Sequence, residues 1–381
     1  MPFDVDQTSF GIAALRTQSN RRAVAVWLFG LCAMILVMVT LGGATRLTGS
    51  GLSIMEWAPL RGTLPPLSET EWQRLYALYQ QIPQYALINH GFGIDGFKNI
   101  FWLEWAHRLW GRLMGVAFFL PLIWFAWRGA IGRTLALRLV GLLALGGMQG
   151  AVGWFMVASG FAANSTAVSP YRLVIHLCLA LTLYAAILWT ALSVWRDASG
   201  SPAEPVSARL RMALRAVCAA LALTIVAGGF VAGLKAGLTY NTYPLMDGQL
   251  VPDGYAALTP FMRNWTENVA AVQFNHRLLA TATALLTLAV VAWGLIRGAP
   301  RRGPIVVALA GLGVAVLAQY ALGIATLLWV VPVALGTLHQ TMAVLVLTAA
   351  LVALHATSQP RLLGRASLAP LVFRPPPAFR D

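Results

Sequence analysis

The sequence predicts an all-α integral membrane protein: eight transmembrane helices in two tandem, pseudo-symmetric four-helix bundles, with both termini cytoplasmic. Three observations predict it. Of 381 residues, 58% are apolar and only 10% charged, with a mean hydropathy of +0.70, far outside the range of soluble globular chains. Eight apolar stretches reach the roughly 20 residues a helix needs to cross a bilayer. Finally, a series of positions in the first half recurs, in order, in the second. The net charge of +14 does not point to nucleic acid, because the arginines sit in short segments between apolar stretches, as in membrane proteins.

Residues 1–23 read as a cytoplasmic tail. They carry Asp4 and Asp6 and lack a short apolar core with a cleavage site, so the first span is expected to serve as the targeting signal. Spans are read at 24–45, 104–127, 137–159, 172–195, 211–234, 273–296, 304–328 and 334–356. This gives an N-terminal bundle over 24–196, a cytoplasmic linker at 197–210, a C-terminal bundle over 211–356 and a cytoplasmic tail at 357–381. The tails and the connections Arg128 to Arg138, Arg196 to Arg215 and Arg297 to Arg302 hold the larger share of the 27 basic residues, which by the positive-inside rule makes that face cytoplasmic. The opposite face carries two long loops, 46–103 and 235–272, with Trp57, Trp72, Trp102 and Trp265 expected at headgroup level. Ser68 and Glu71 have capping-box spacing, which predicts a short helix in the first loop lying on the membrane surface. Cys32, Cys178 and Cys218 all fall in apolar stretches and are not placed to form a loop disulfide.

The repeat is recognised at five places. Gly42-Gly43 leading to Gly51-Leu52 matches Gly228-Gly229 leading to Gly237-Leu238, and Pro59-Leu60 with Gly62 resembles Pro244-Leu245 with Gly248. His107-Arg108-Leu109 matches His276-Arg277-Leu278, Gln149 with Gly153 matches Gln319 with Gly323, and His176 matches His339. Each unit has an even number of helices, so the halves share one orientation about an axis along the membrane normal.

Four of the six histidines, His107, His176, His276 and His339, fall in the first turns of the even-numbered spans, near the extracytoplasmic surface. Ionisable groups inside spans are costly and face the bundle interior, where they pair, relay protons or bind a ligand. A helix N-terminus disfavours a proton on imidazole, and neutral imidazole is the form that ligates a metal. Two imidazoles from facing helices are the usual axial set for a low-spin haem, whereas no third ligand or thiolate supports zinc. Haem held between paired histidines in each half is therefore the expected ligand. His90 and His355 receive no role.

Glu104 stands three residues before His107, on the same helix face, while Gln273 occupies the matching place before His276. The duplicate keeps the shape and discards the charge. The N-terminal half thus reads as reactive, with Glu104 able to move a proton or stabilise positive charge, and the C-terminal half as a permanent haem carrier.

The segments Glu104-Trp105-Ala106-His107-Arg108, Asn275-His276-Arg277, Thr45 to Ser53 and Tyr243-Pro244-Leu245-Met246, with His176 and His339, resemble the haem A synthase family along nearly the whole chain. The resemblance implies that haem O binds through His107 and His176, and that a haem b cofactor stays on His276 and His339. It implies oxidation of a porphyrin methyl group to a formyl group, giving haem A for cytochrome oxidase, with Glu104 near that methyl. Arg46, Arg108, Lys235 and Arg277 are candidates for pairing haem propionates. The first loop lacks the cysteine pair of some bacterial members, so the chain is similar to the proteobacterial and mitochondrial type. A bacterial inner membrane is the expected location. Expected partners are haem O, a haem O synthase, cytochrome oxidase assembly factors, membrane lipid, an electron-transfer protein and a second copy of the chain, with no nucleic acid. The competing reading is a quinone-linked di-haem b-type electron carrier. Such carriers space their haems across the membrane, whereas both histidine pairs here lie toward one side.

Overall fold

A computed structural model describes residues 5–163, 165–199, 206–298 and 303–358. Most of the 357–381 tail, the middle of the 197–210 linker and the 299–302 part of the Arg297 to Arg302 connection lie outside these residues. Among the described residues all regular structure is helical, without strands. Eight helices are long and apolar enough to cross a membrane. They are α1 (Val5–Leu47), α4 (Ile94–Trp127), α5 (Arg133–Ala158), α6 (Pro170–Ser199), α7 (Ala208–Gly233), α9 (Val269–Trp293), α10 (Pro304–Leu328) and α11 (Val333–Ala356). Three short helices lie between them: α2 (Glu69–Tyr79), α3 (Pro83–Leu87) and α8 (Asn264–Glu267). A helix is what such a segment must be, because hydrocarbon offers no partner for backbone N–H and C=O groups.

Contacts between helices close two four-membered rings, α1-α4-α5-α6 and α7-α9-α10-α11. The rings meet through α1 against α11 and α6 against α7 and α11. Polar side chains stitch this seam: Thr40 bonds Thr341 at 2.8 Å, the Gln340 amide donates to the Val39 carbonyl at 2.9 Å, and Tyr184 bonds Thr348 at 2.6 Å. Around the outside, large apolar side chains such as Leu120, Leu285, Val307 and Val314 are exposed, as a lipid-facing surface requires. The molecule is a multi-pass membrane protein. α1 reaches the end of α6 at Gln18, whose amide donates to the Ala198 carbonyl at 2.8 Å, and the end of α11 reaches the start of α7 through Arg211 and the Thr357 carbonyl. Gln18 and Thr357 therefore lie on one face and the two long loops on the other.

Three local expectations change. Residues 5–23, read as a tail, continue α1 without a break. The second span starts at Ile94 rather than 104, because the first loop is a folded cap with a core of its own: Trp72, Leu75 and Tyr79 of α2 bury against Phe97 and Phe101 on the first turns of α4. That burial stabilises helix outside the bilayer, where periodicity alone gave no sign of it. Trp72, expected at headgroup level, is accordingly only 8% exposed, while Trp57, Trp102 and Trp265 are exposed. The short helix after Ser68 is present. The Ser68 hydroxyl accepts from the Glu71 N–H at 3.2 Å, but Glu71 does not complete a capping box and instead binds Arg74 at 2.8 Å.

Candidate haem sites and the ladders beside them

Each of the four histidines sits on a glycine of the helix preceding it in its ring. A Cβ placed on Gly42 of α1 would lie 3.2 Å from Nε2 of His107, and Cβ atoms on Gly153, Gly228 and Gly323 would each lie 2.9 Å from Cε1 of His176, His276 and His339. At Gly153, Gly228 and Gly323 no side chain larger than hydrogen leaves the rings where they are, and at Gly42 the His107 ring would have to give by a few tenths of an ångström. The duplicated glycines are thus seats for imidazoles, and they explain why Gly and His recur together. The second glycine of each Gly-Gly pair faces the other half: Gly43 lies against Gln340 and Gly229 against Val174. Within each half the two histidines stand on helices diagonal to one another in the ring, His107 on α4 and His176 on α6, His276 on α9 and His339 on α11.

His176, His276 and His339 fall in the second turn of their helices, whereas His107 is the fourteenth residue of α4. The expectation that all four occupy first turns fails for His107, because α4 begins in the cap. Gln149 and Gln319 occupy matching places. The Gln149 amide nitrogen donates to the His176 carbonyl at 3.0 Å and lies 3.1 Å from Nδ1, and Gln319 donates to the His339 carbonyl at 3.2 Å. Nδ1 of His276, Nδ1 of His339 and the Oε1 atoms of both glutamines are buried without a partner. Orphaned buried polar atoms carry a cost that a bound group relieves. Among the described residues no cluster of three or more His, Cys, Asp or Glu could hold a metal ion. A donor set of two facing imidazoles, seated on glycine and with unspent ring nitrogens, fits a haem iron.

Glu104 is 3% exposed, and both of its oxygens are fully engaged. Oε2 accepts from the Ser53 N–H at 2.7 Å, the Ser53 hydroxyl at 2.8 Å and the Ile54 N–H at 3.0 Å. Oε1 accepts from Arg108 Nε at 3.0 Å and Nη2 at 2.6 Å. Arg108 continues to the Ile54 and Glu56 carbonyls at 2.7 and 2.8 Å. One turn further, Arg112 donates to the Ala58 and Pro59 carbonyls at 2.9 and 2.8 Å. Residues 104, 108 and 112 share one face of α4, and together they fasten the descending loop to the helix. Trp57 of that loop stacks on Trp154 at 6.2 Å, next to Gly153, and Arg108 lies 5.5 Å over the Trp154 ring.

The second half has a matching ladder with the polarity of its first rung reversed. Gln273, 2% exposed, donates to the Ala236 and Thr239 carbonyls at 2.7 and 2.6 Å and accepts from Arg277 at 3.0 Å. Arg277 donates to the carbonyls of Tyr240 and Thr242. The third rung is Thr281, bonded to Tyr320 at 2.8 Å, which bonds Tyr243 at 2.7 Å. Position 104 meets backbone N–H groups and position 273 meets backbone carbonyls, so a carboxylate suits the first and an amide the second. The ladders were not foreseen, though the Glu-Arg-Arg spacing at i, i+4, i+8 was a signal for one.

The four basic residues considered for propionates differ in how much of each is free. Arg46 donates to the Ala232 carbonyl at the end of α7, and Arg108 is spent on Glu104 and two carbonyls. Arg277 keeps a buried Nε without a partner. Lys235 is exposed, in a left-handed turn at φ 54°. On the water side of the cap, Arg74 holds Glu56 and Glu71 at 2.9 and 2.8 Å and pulls both carboxyls below the usual carboxylate range.

Residues 25–351 match the family described as cytochrome oxidase assembly protein. The chain is 62% identical to a haem A synthase of Granulibacter bethesdensis over 339 residues, covering 89% of this chain and 88% of that one. It is 46% identical to a haem A synthase of Parvibaculum lavamentivorans, covering 89% and 96% of the two chains. It is 50% identical to one of Rhodospirillum centenum, covering 88% of each.

Proposed function

Because the chain belongs to the cytochrome oxidase assembly family of haem A synthases, we propose that its N-terminal ring holds the substrate haem O and its C-terminal ring a resident haem b. The activity itself follows from the family: an oxidoreductase that acts on haem O to give haem A for cytochrome oxidase. The likeness to haem A synthases along nearly the full length carries this conclusion.

In this proposal His107 and His176 ligate the substrate iron, and His276 and His339 ligate haem b. The glycine seats support both pairs, and the unpartnered Nδ1 atoms of His276 and His339 support the second. Haem b, when bound, supplies a one-electron redox centre. The protein contributes position: a ring resting on a neighbouring backbone has little freedom to rotate, and Gln149 and Gln319 tie the histidine backbones to the adjacent helix. With iron taken on both faces by imidazole, oxidation falls at the ring periphery. Glu104 is proposed as the catalytic carboxylate. Five donors fix it on the face of α4 that carries His107, where its charge stabilises positive charge developing at the substrate methyl, and it accepts a proton from incoming water by releasing one of those donors. Arg46, with one bond to the Ala232 carbonyl, Lys235 and Arg277 retain donors for propionates, which favours them over Arg108, already held by Glu104 and two carbonyls.

We further propose that the loop face is extracytoplasmic in a bacterial inner membrane, with both termini cytoplasmic, since the arginine-rich connections lie on the opposite face. Reporter fusions at residues 85 and 255 read this out, and cytoplasmic reporter activity at either reverses the orientation. A haem O synthase, an electron-transfer protein and a second copy of the chain remain the proposed partners. The function is tested by expressing the protein in cells supplied with haem O and separating the extracted pigments. Haem A should form only with the protein present; recovery of unchanged haem O at full haem occupancy overturns the reading.

A further inference from the structure

The N-terminal ring does not hold its first histidine seat unaided: we propose that Gln340, a residue of the C-terminal ring, is a positioning residue for His107 and acts through Gly42 and Gly43. The inference rests on the assignment of the substrate to the N-terminal ring and of resident haem b to the C-terminal one.

Consecutive residues on a helix point about 100° apart, so the two glycines of α1 serve different neighbours. Gly42 receives the His107 ring, whose Nε2 would lie 3.2 Å from a Cβ there. Gly43 receives the Gln340 side chain, whose Nε2 and Oε1 would each lie 3.1 Å from a Cβ. From that position the amide donates to the Val39 carbonyl at 2.9 Å. Val39 to Gly43 is one turn of α1, and Gly42 lies inside it. The amide therefore holds, at both ends, the turn on which the ring rests. Neighbouring contacts fasten the same stretch to the same half: Thr40 to Thr341 at 2.8 Å, Arg46 to the Ala232 carbonyl and Leu47 against Gly336.

The matching seam, behind the seat of His276, lacks this hold. Leu177 follows His176 as Gln340 follows His339, and Val226 and Cys178 stand where the first seam has Thr40 and Thr341. The three atoms nearest a Cβ on Gly229 are all carbon, from Val174 and Leu177. Apolar contact lets one helix slide on another, whereas a hydrogen bond has a distance and a direction to keep. The two halves differ in what they need. A resident haem, ligated on both faces, keeps His276 and His339 in place itself. A substrate leaves at each turnover and frees His107, so protein must hold that seat, and the hold comes from the residue beside His339.

The test is Gln340→Leu, which gives this seam the residue of the other, in full-length protein loaded with haem b and titrated with haem O. His107→Ala and His339→Ala assign the two low-spin signals in the electron paramagnetic resonance spectrum, each set by its axial imidazoles. Gln340→Leu should weaken haem O binding several-fold and displace the His107–His176 signal, while the His276–His339 signal stays. Gly43→Ala, which pushes on the amide from the α1 side, should displace the same signal with Gln340 intact. A role confined to its own half gives the opposite pattern, a changed signal at His339 and none at His107, and that result overturns the proposal. Thr341→Val removes a bond of the same seam without touching Gly43 and should leave both signals and the haem O affinity native. An effect equal to that of Gln340→Leu makes the whole seam responsible and also overturns the proposal. Signals unaltered in His107→Ala overturn the haem assignment and this proposal with it; signals unaltered in Gln340→Leu alone overturn only the proposal.

Discussion

Glu104→Gln is the substitution that best separates what this side chain holds from what it does. The swap looks nearly isosteric, since Gln273 fills the matching position, but the partners differ. A carboxylate offers acceptors on both sides, and position 104 uses both, three donors on Oε2 and two on Oε1. An amide has one acceptor and one donor. Turned with its oxygen toward Arg108, it leaves two buried backbone N–H groups facing an NH2, at about 1–3 kcal/mol for each unsatisfied group. Turned the other way, it breaks an ion pair whose members are 3% and 15% exposed, for which loss of one partner costs about 3–5 kcal/mol. Retained bonds from Arg108 to the Ile54 and Glu56 carbonyls reduce that figure, so the net cost is about 2–5 kcal/mol. A charge at an exposed helix end would cost only about 0.3–1 kcal/mol. The assay is thermal loss of bound haem together with proteolysis in the first loop, followed by product analysis at equal haem occupancy. The variant should melt several degrees lower, be cut faster in the loop and form about 100-fold less haem A. A melting midpoint and cleavage rate equal to the native protein's refute the anchoring argument, whatever happens to product. Native product formation at equal occupancy refutes the catalytic one.

The remaining predictions address the sites and the cap. His276→Ala and His339→Ala should each lower tightly bound haem b, since each removes one axial ligand; an unaltered low-spin spectrum in both variants removes the assignment. Gly153→Ala and Gly323→Ala should displace His176 and His339 and weaken the low-spin spectrum of the corresponding half, whereas Gly147→Ala, with open space around its Cβ, should leave it intact. Equal spectra for all three variants would falsify the seating argument. The lowered carboxyls of Glu56 and Glu71 give a pH dependence of defined sign. Their contribution is complete above the ordinary carboxylate value, near pH 4.3, and is lost as pH falls through their depressed values. Hydrogen exchange in α2 should therefore rise below about pH 4, and Arg74→Ala should abolish that dependence; an α2 exchange profile flat in pH for the native protein contradicts it.

Much of the fold is written along one dimension. A residue's solvent is legible from composition when the solvent is lipid, because twenty apolar residues in a row have few alternatives to a spanning helix. All eight spans were readable for that reason, with ends displaced by a few residues, except at the starts of α1 and α4. In α4 the extension from Ile94 depends on Trp72 and Tyr79, more than fifteen residues away, and no local pattern around Phe97 and Phe101 reports such a partner. The histidine–glycine matches were likewise readable as recurrences, although only the packing shows that Gly42, Gly153, Gly228 and Gly323 each seat a ring.

The sequence by itself determined that the chain is a membrane protein of eight helices, that it is a tandem repeat, and that its four recurring histidines and one unmatched carboxylate deserve the chemical roles proposed for them. Those conclusions rest on hydropathy and identity, which need no partner. Tertiary structure alone decided what Glu104 and Gln273 bind, that Arg108, Arg112 and Arg277 hold loop carbonyls, and that Trp72 is core rather than interface. The reason is that hydrogen-bond polarity is a property of two groups. Ser53 and Ile54 lie some fifty residues from Glu104, and whether a backbone turns its N–H or its C=O toward a helix is fixed only when the chain has folded back upon it.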